Sequence, residues 1–190
     1  MPLRADASKT TAKTTSGRPS VAYRVAITGV LCGLAVALSF LESLLPSLPV
    51  PGAKWGLSNL TTMTALSLLG LPEALAVTLV KAGFAALRGG VAGVMSLAGG
   101  LLSTLVMWGV LRGLKDRLSL LGVGLLGAVA HNAGQLAAAM LLFSPSLIYY
   151  APWLLLTALV AGSLTGLTVR IVLPVLRRRL PSVQRKDTIV

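Results

Sequence analysis

The sequence predicts an all-α, polytopic membrane protein with about six transmembrane helices, and three observations predict it. Of 190 residues, 55% are hydrophobic and only 12% are charged, about half the charged fraction of roughly 25% found in soluble domains. The apolar residues gather into long runs, and mean hydropathy is +0.84. The net charge of +12 comes from basic residues at the two ends and in one short loop, outside those runs. So few charges cannot cover so much apolar surface, which excludes a water-soluble enzyme. A strongly basic chain otherwise suggests nucleic acid, but charge placed outside the spans marks a membrane surface, and no nucleic-acid partner is expected. The single cysteine, Cys32, lies inside an apolar run, so neither a disulfide framework nor a Cys-based zinc site is expected.

Residues 1–24 are polar and rich in Ser, Thr, Lys and Arg, the composition of a disordered tail. The scarcity of acids resembles a transit peptide, but no amphipathic stretch accompanies it. The first apolar run, 25–45, is long enough to cross a hydrocarbon core of about 30 Å at about 1.5 Å per residue. It is too long for a cleavable signal, and no small-residue cleavage site closes it. Pro46, Pro49 and Pro51 then force an extended loop ending at Lys54 and Trp55. Gly70-Leu71-Pro72-Glu73 divides the next apolar stretch into short helices over 56–70 and 73–88, because Gly suits a helix end and Pro a first turn. Further helices are expected over 93–111, 119–143 and 151–174, with a basic loop at 112–118 and a break at Ser144-Pro145-Ser146. Residues 25–176 thus form one membrane domain, followed by a basic tail over 177–190.

The basic residues orient it. Arg4, Lys9, Lys13, Arg18 and Arg24 precede the first run; Arg112, Lys115 and Arg117 lie in the loop; Arg170, Arg177, Arg178, Arg179, Arg185 and Lys186 close the chain. An even number of spans puts all three segments on one face, expected to be the cytoplasmic face of a bacterial inner membrane. The opposite loops hold only Lys54 and Arg88, beside the interfacial aromatics Trp55, Tyr149, Tyr150 and Trp153.

An ionisable group inside a bilayer costs several kcal/mol or more unless paired or hydrated, so those in the spans are functional candidates. Glu42, Lys81, Arg88, His131, Asn132 and Gln135 lie within or at the ends of spans, and Lys54 and Asn59 flank the start of the second helix. The expected topology brings them toward the outer half, outlining a polar, net cationic pocket. That charge implies an anionic ligand such as a phosphate or carboxylate. A structural reading stands beside this one: Glu42 with Arg88 as an ion pair, Lys81 snorkelling, Asn132 and Gln135 as interhelical hydrogen-bond formers. A lone His makes no metal site. Gly29, Gly33 and Ala37 repeat every fourth residue, a ridge for close helix approach that serves either internal packing or docking of a membrane partner.

Several motifs are missing from the sequence. There is no GxxxxGK[ST] phosphate loop, no GxSxG and no HExxH. Asp6, Asp116 and Asp187 all lie outside the spans, so the carboxylate cluster that Mg²⁺-dependent prenyl transfer requires is not available. No cofactor is expected, and the chain is not expected to be catalytic by itself.

Three segments then carry a resemblance. Pro51-Gly52-Ala53-Lys54-Trp55-Gly56-Leu57-Ser58-Asn59 resembles the PGxKxGLxN signature of the Gx transporter family. Ser96-Leu97-Ala98-Gly99-Gly100-Leu101-Leu102-Ser103 resembles its SLAGGLLS segment, and His131-Asn132-Ala133-Gly134-Gln135 its HNxGQ segment. That family is also labelled heptaprenyl diphosphate synthase component I, and is similar to the substrate-binding S components of energy-coupling factor transporters. The resemblance implies a six-helix S-component fold, with Gly29, Gly33 and Ala37 as the docking ridge. At Lys81 the family usually has arginine, so charge is kept and bidentate geometry is lost. It also implies uptake of a vitamin-sized solute, energised by a transmembrane coupling subunit and ATPase subunits. Two alternatives remain open: a non-catalytic membrane component of polyprenyl diphosphate synthesis, and a structural partner in a quinone-related assembly.

Overall fold

The computed structural model describes residues 21–45, 56–114 and 117–180. Among these it forms six α-helices: α1 (Val21–Leu44), α2 (Asn59–Leu68), α3 (Leu71–Leu87), α4 (Gly90–Leu114), α5 (Leu120–Leu142) and α6 (Ala151–Arg179). The proline-rich loop with Lys54 and Trp55, residues 1–20, 181–190 and Lys115-Asp116 lie outside the described residues.

The punctuation explains the joints. Gly70 turns the chain between α2 and α3 with φ at +117°, a conformation that disfavours any side chain, and Pro72 occupies the first turn of α3. Ser119 caps α5, its side chain accepting from the Gly122 amide at 3.3 Å. The expected break at Ser144-Pro145-Ser146 is a 3₁₀ stretch, Pro145–Tyr150, that leads directly into α6.

Most helix boundaries fall within three residues of the sequence reading, and two differ by more. The first helix starts at Val21, not residue 25, and α6 runs through Pro174 to Arg179 instead of ending at 174. A proline removes one helical hydrogen bond. The last turn survives because it is anchored elsewhere: Arg177 donates to the Ser67 carbonyl at 3.5 Å.

Four helical segments, α1, α4, α5 and the stretch from Pro145 through α6, are long and apolar enough to cross a bilayer. The chain is therefore a membrane protein. Outward-facing side chains fit that surface, with Leu141 at 89% exposure and Leu87 at 85%. By contrast α2 has 10 residues, a rise of about 15 Å. It sits inside the bundle against α1, α3, α4 and α6, and every residue of it except Leu60 is buried. Protein rather than lipid surrounds it, so it does not need the spanning length.

Close backbone contact sets the registers. A Cβ on Gly93 would meet Ala86, and one on Gly100 would meet Thr78, so α3 and α4 run antiparallel. Gly127 lies against Met107 and Gly134 against Ala98, which fixes α4 on α5; Gly124 and Gly166 do the same for α5 and α6.

Candidate functional site

The site is built around the first turn of α2. Gly56 adopts φ +79°, and a Cβ there would stand 2.9 Å from that of Ala161 on α6. Only glycine combines that conformation with that approach. Its carbonyl accepts from the Asn59 amide at 3.0 Å and from the Thr165 hydroxyl at 3.5 Å. The chain is thereby turned into α2 at the one place where Ser58 and Asn59 face two other helices.

From α1, Glu42 reaches Ser58. Its two carboxylate oxygens accept from the Ser58 amide and the Ser58 hydroxyl, both at 3.1 Å. The negative charge thus sits at the positive end of the α2 dipole. From α3, Lys81 is 2% exposed and its ammonium donates to Asn59 Oδ1 at 2.8 Å. A carboxylate and an ammonium are thereby buried on consecutive residues of one turn. Ser58 was missed by sequence reasoning. The signal that could have found it is the buried carboxylate of Glu42, which needs donors within reach.

The other two resembling segments meet each other. A Cβ on Gly99 would stand 2.6 Å from the His131 carbonyl oxygen and 2.7 Å from Gln135 Cγ, and one on Gly134 would stand 2.7 Å from the Ala98 carbonyl oxygen. The two helices interlock at glycines, and His131 and Gln135 are buried against them. The adjacent Gly100 packs against Thr78 of α3, one turn before Lys81, so α3 and α5 both border α4 here. Gln135 is 2% exposed, and neither its oxygen nor its nitrogen has a hydrogen-bond partner among the described residues.

Not every sequence-derived candidate joins this cluster. Asn132 faces α6, donating to the Leu154 carbonyl at 2.9 Å and to the Thr157 hydroxyl at 3.4 Å, where an apolar groove of about 220 Å³ runs between α5 and α6. Arg88 is exposed just past the end of α3, its guanidinium 5.3 Å from the Phe84 ring centre. Lys54 lies outside the described residues. On α1, Gly29, Gly33 and Ala37 are all exposed, and a Cβ on either glycine would meet nothing within 4 Å.

At the other end of α2, the carbonyls of its last turn meet arginines. Arg24 of α1 donates to the Leu69 carbonyl at 3.1 Å and pairs with Glu73 of α3, beside the Arg177 contact from α6.

A family model described as heptaprenyl diphosphate synthase component I matches residues 31–172, a range that takes in Glu42, the α2 turn, Lys81 and the α4–α5 seam. The chain belongs to the heptaprenyl diphosphate synthase component I family. Comparisons with curated proteins and with solved structures yield no match. What places the chain in this family is therefore the same stretch that builds the polar cluster, and the family match leaves most of α6's basic end outside it.

Proposed function

We propose that the chain is the membrane-embedded, S-component-like subunit of an uptake system, binding a small, vitamin-like anionic solute and energised by partner ATPase subunits. The observation that carries this reading is Lys81, an ammonium buried to 2% exposure at the turn of α2. Burying a lysine ammonium is costly, and inside a bilayer the cost is higher, so a charge held here on the Asn59 side chain is a functional candidate. An anion entering beside Asn59 would meet that charge where water cannot screen it.

All six helices then lie in the membrane, α2 and α3 completing the bundle that the four long segments begin. The termini face the cytoplasm of a bacterial inner membrane, as the basic residues at both ends argue. The bare ridge of Gly29, Gly33 and Ala37 is the docking face for a transmembrane coupling subunit. Small residues permit such backbone approach, and none of the described residues fills the space over the two glycines.

The family description supports a second reading, a membrane component of heptaprenyl diphosphate synthesis. Affinity capture of the tagged full chain from its native membranes separates the two. Co-purified coupling and ATPase subunits are expected; a prenyl synthase in their place would establish the second reading, and the absence of both would overturn each.

A further inference from the structure

We infer that the groove between α5 and α6 is a second binding site, separate from the Lys81 cluster, for a molecule dissolved in the lipid: an apolar, ring-sized group with one hydrogen-bond donor that is read by Asn132 Oδ1.

The walls say where the occupant comes from. Both helices belong to segments long and apolar enough to cross the bilayer. Ala133 and Leu155, which line the groove, are exposed on the outside of the bundle. An occupant therefore enters sideways from the hydrocarbon and not from water. Val129, Leu136, Leu154 and Ala158 supply further walls, so the occupant is apolar where it touches them. Its size follows from the volume, about 220 Å³. An apolar cavity of about 150 Å³ holds benzene, so this one takes a ring with a small substituent.

Asn132 is the exception among these walls. It lies near the middle of α5, where a polar side chain facing hydrocarbon is costly. Its nitrogen is accounted for, donating to the Leu154 carbonyl at 2.9 Å and the Thr157 hydroxyl at 3.4 Å. A carbonyl only accepts, so the nitrogen must be the atom that faces it, and Oδ1 is turned away. Oδ1 accepts no hydrogen bond among the described residues, yet it is not sealed inside protein. Interhelical packing thus explains half of the amide and leaves the acceptor open at the groove. Water is a poor partner there, because it needs two to four polar groups and Asn132 is the one polar side chain in the lining. A single O–H or N–H on an apolar ring satisfies Oδ1, and in a medium of low dielectric that bond is strengthened.

The test uses the full chain in lipid nanodiscs and two probes. In para-trifluoromethylphenol the ring carries a donor; in para-trifluoromethylanisole a methyl ether replaces it. Fluorine NMR separates saturable binding from partitioning into lipid, with empty nanodiscs as the reference. Corrected for partitioning, the phenol is expected to bind about tenfold more tightly than the anisole, the worth of one hydrogen bond near the top of its ordinary range. In Asn132→Leu the phenol falls to the level of the anisole, whose own binding is unchanged. Ala133 is exposed, so Ala133→Leu fills the groove without disturbing the core, and it is expected to lose both probes at an unchanged melting temperature. If Asn132→Leu does not fold, the preference for the phenol in wild type and its loss in Ala133→Leu decide the matter. Equal saturable binding of the two probes to wild type would overturn the inference and leave the groove to the hydrocarbon tail of a bilayer lipid. A preference for the phenol that persists in Asn132→Leu would overturn it as well, as would phenol binding that Ala133→Leu leaves intact or that never exceeds partitioning.

Discussion

The two halves of the bundle are held together by different means. Helices α4, α5 and α6 meet at Gly99, Gly124, Gly134, Gly162 and Gly166, where a Cβ would come within 2.6–2.9 Å of a neighbouring backbone atom. Helices α1, α2 and α3 are joined by charged side chains at the two ends of α2: Glu42 on Ser58 at one end, Arg24 on Leu69 and Glu73 at the other. Long apolar helices satisfy their own backbones over most of their length, so contact area and close packing suffice. A ten-residue helix leaves a large share of its amides and carbonyls unbonded at its ends. Those groups lie inside protein, and other helices must supply their partners.

The contrast can be broken from either side. The largest effect is expected in the glycine-packed half. Gly134→Val places a branched side chain against the Ala98 carbonyl and Gly99 Cα, where backbone cannot yield. The expected loss is about 3 kcal/mol, the upper end for overpacking, read as a fall in the denaturation midpoint of the purified protein. The polar half should be softer. Glu42→Ala leaves the Ser58 amide and hydroxyl without their acceptor and is expected to cost about 2 kcal/mol. Arg24→Ala, at a partly exposed pair, should cost about 1 kcal/mol by the same measurement. If Arg24 proved the costlier of the two, the contrast between a buried and a half-buried end of α2 would fail. The smallest effect on stability belongs to the outer face of α1. Gly29→Leu and Gly33→Leu point into open space and should shift stability by no more than about 0.5 kcal/mol. If this face docks the partner proposed above, both should nevertheless abolish co-purification of partner membrane subunits, because a leucine there keeps a partner backbone from approaching closely.

Helix positions were largely legible in the sequence, because glycine and proline mark the joints: Gly70 and Pro72 separate α2 from α3, and Ser144-Pro145 precedes α6. Pro174 misled, since proline signals a stop locally and a distant anchor, Arg177 on Ser67, keeps the helix going. The central place of α2 was not legible. Thr61, Thr62, Thr64 and Ser67 are all buried, and such residues read equally well as a surface or as an interior. Thr61 and Thr64 satisfy their hydroxyls on backbone carbonyls within the same helix, Ser58 and Leu60, so their burial needs no distant partner that a pattern could reveal. Within the candidate site, the proximity of Asn59 to Lys81 follows from charge and topology. Glu42 meeting Ser58, rather than Arg88, could not be foreseen, because the outcome depends on which donor the fold brings into range. Arg24 reads in the sequence as a marker of orientation; in the structure it also closes a helix end.

The clasp on α2 bears on how the chain enters the membrane. Asn59, the threonines and Ser67 make α2 a poor candidate to partition into lipid alone, and its length falls well short of the bilayer. Of the charges that complete its ends, Glu42 and Arg24 come from α1, which precedes it in the chain, and Arg177 comes from α6, which follows it. The ends of α2 are therefore complete only when helices that precede and follow it, α1, α3 and α6, stand around it.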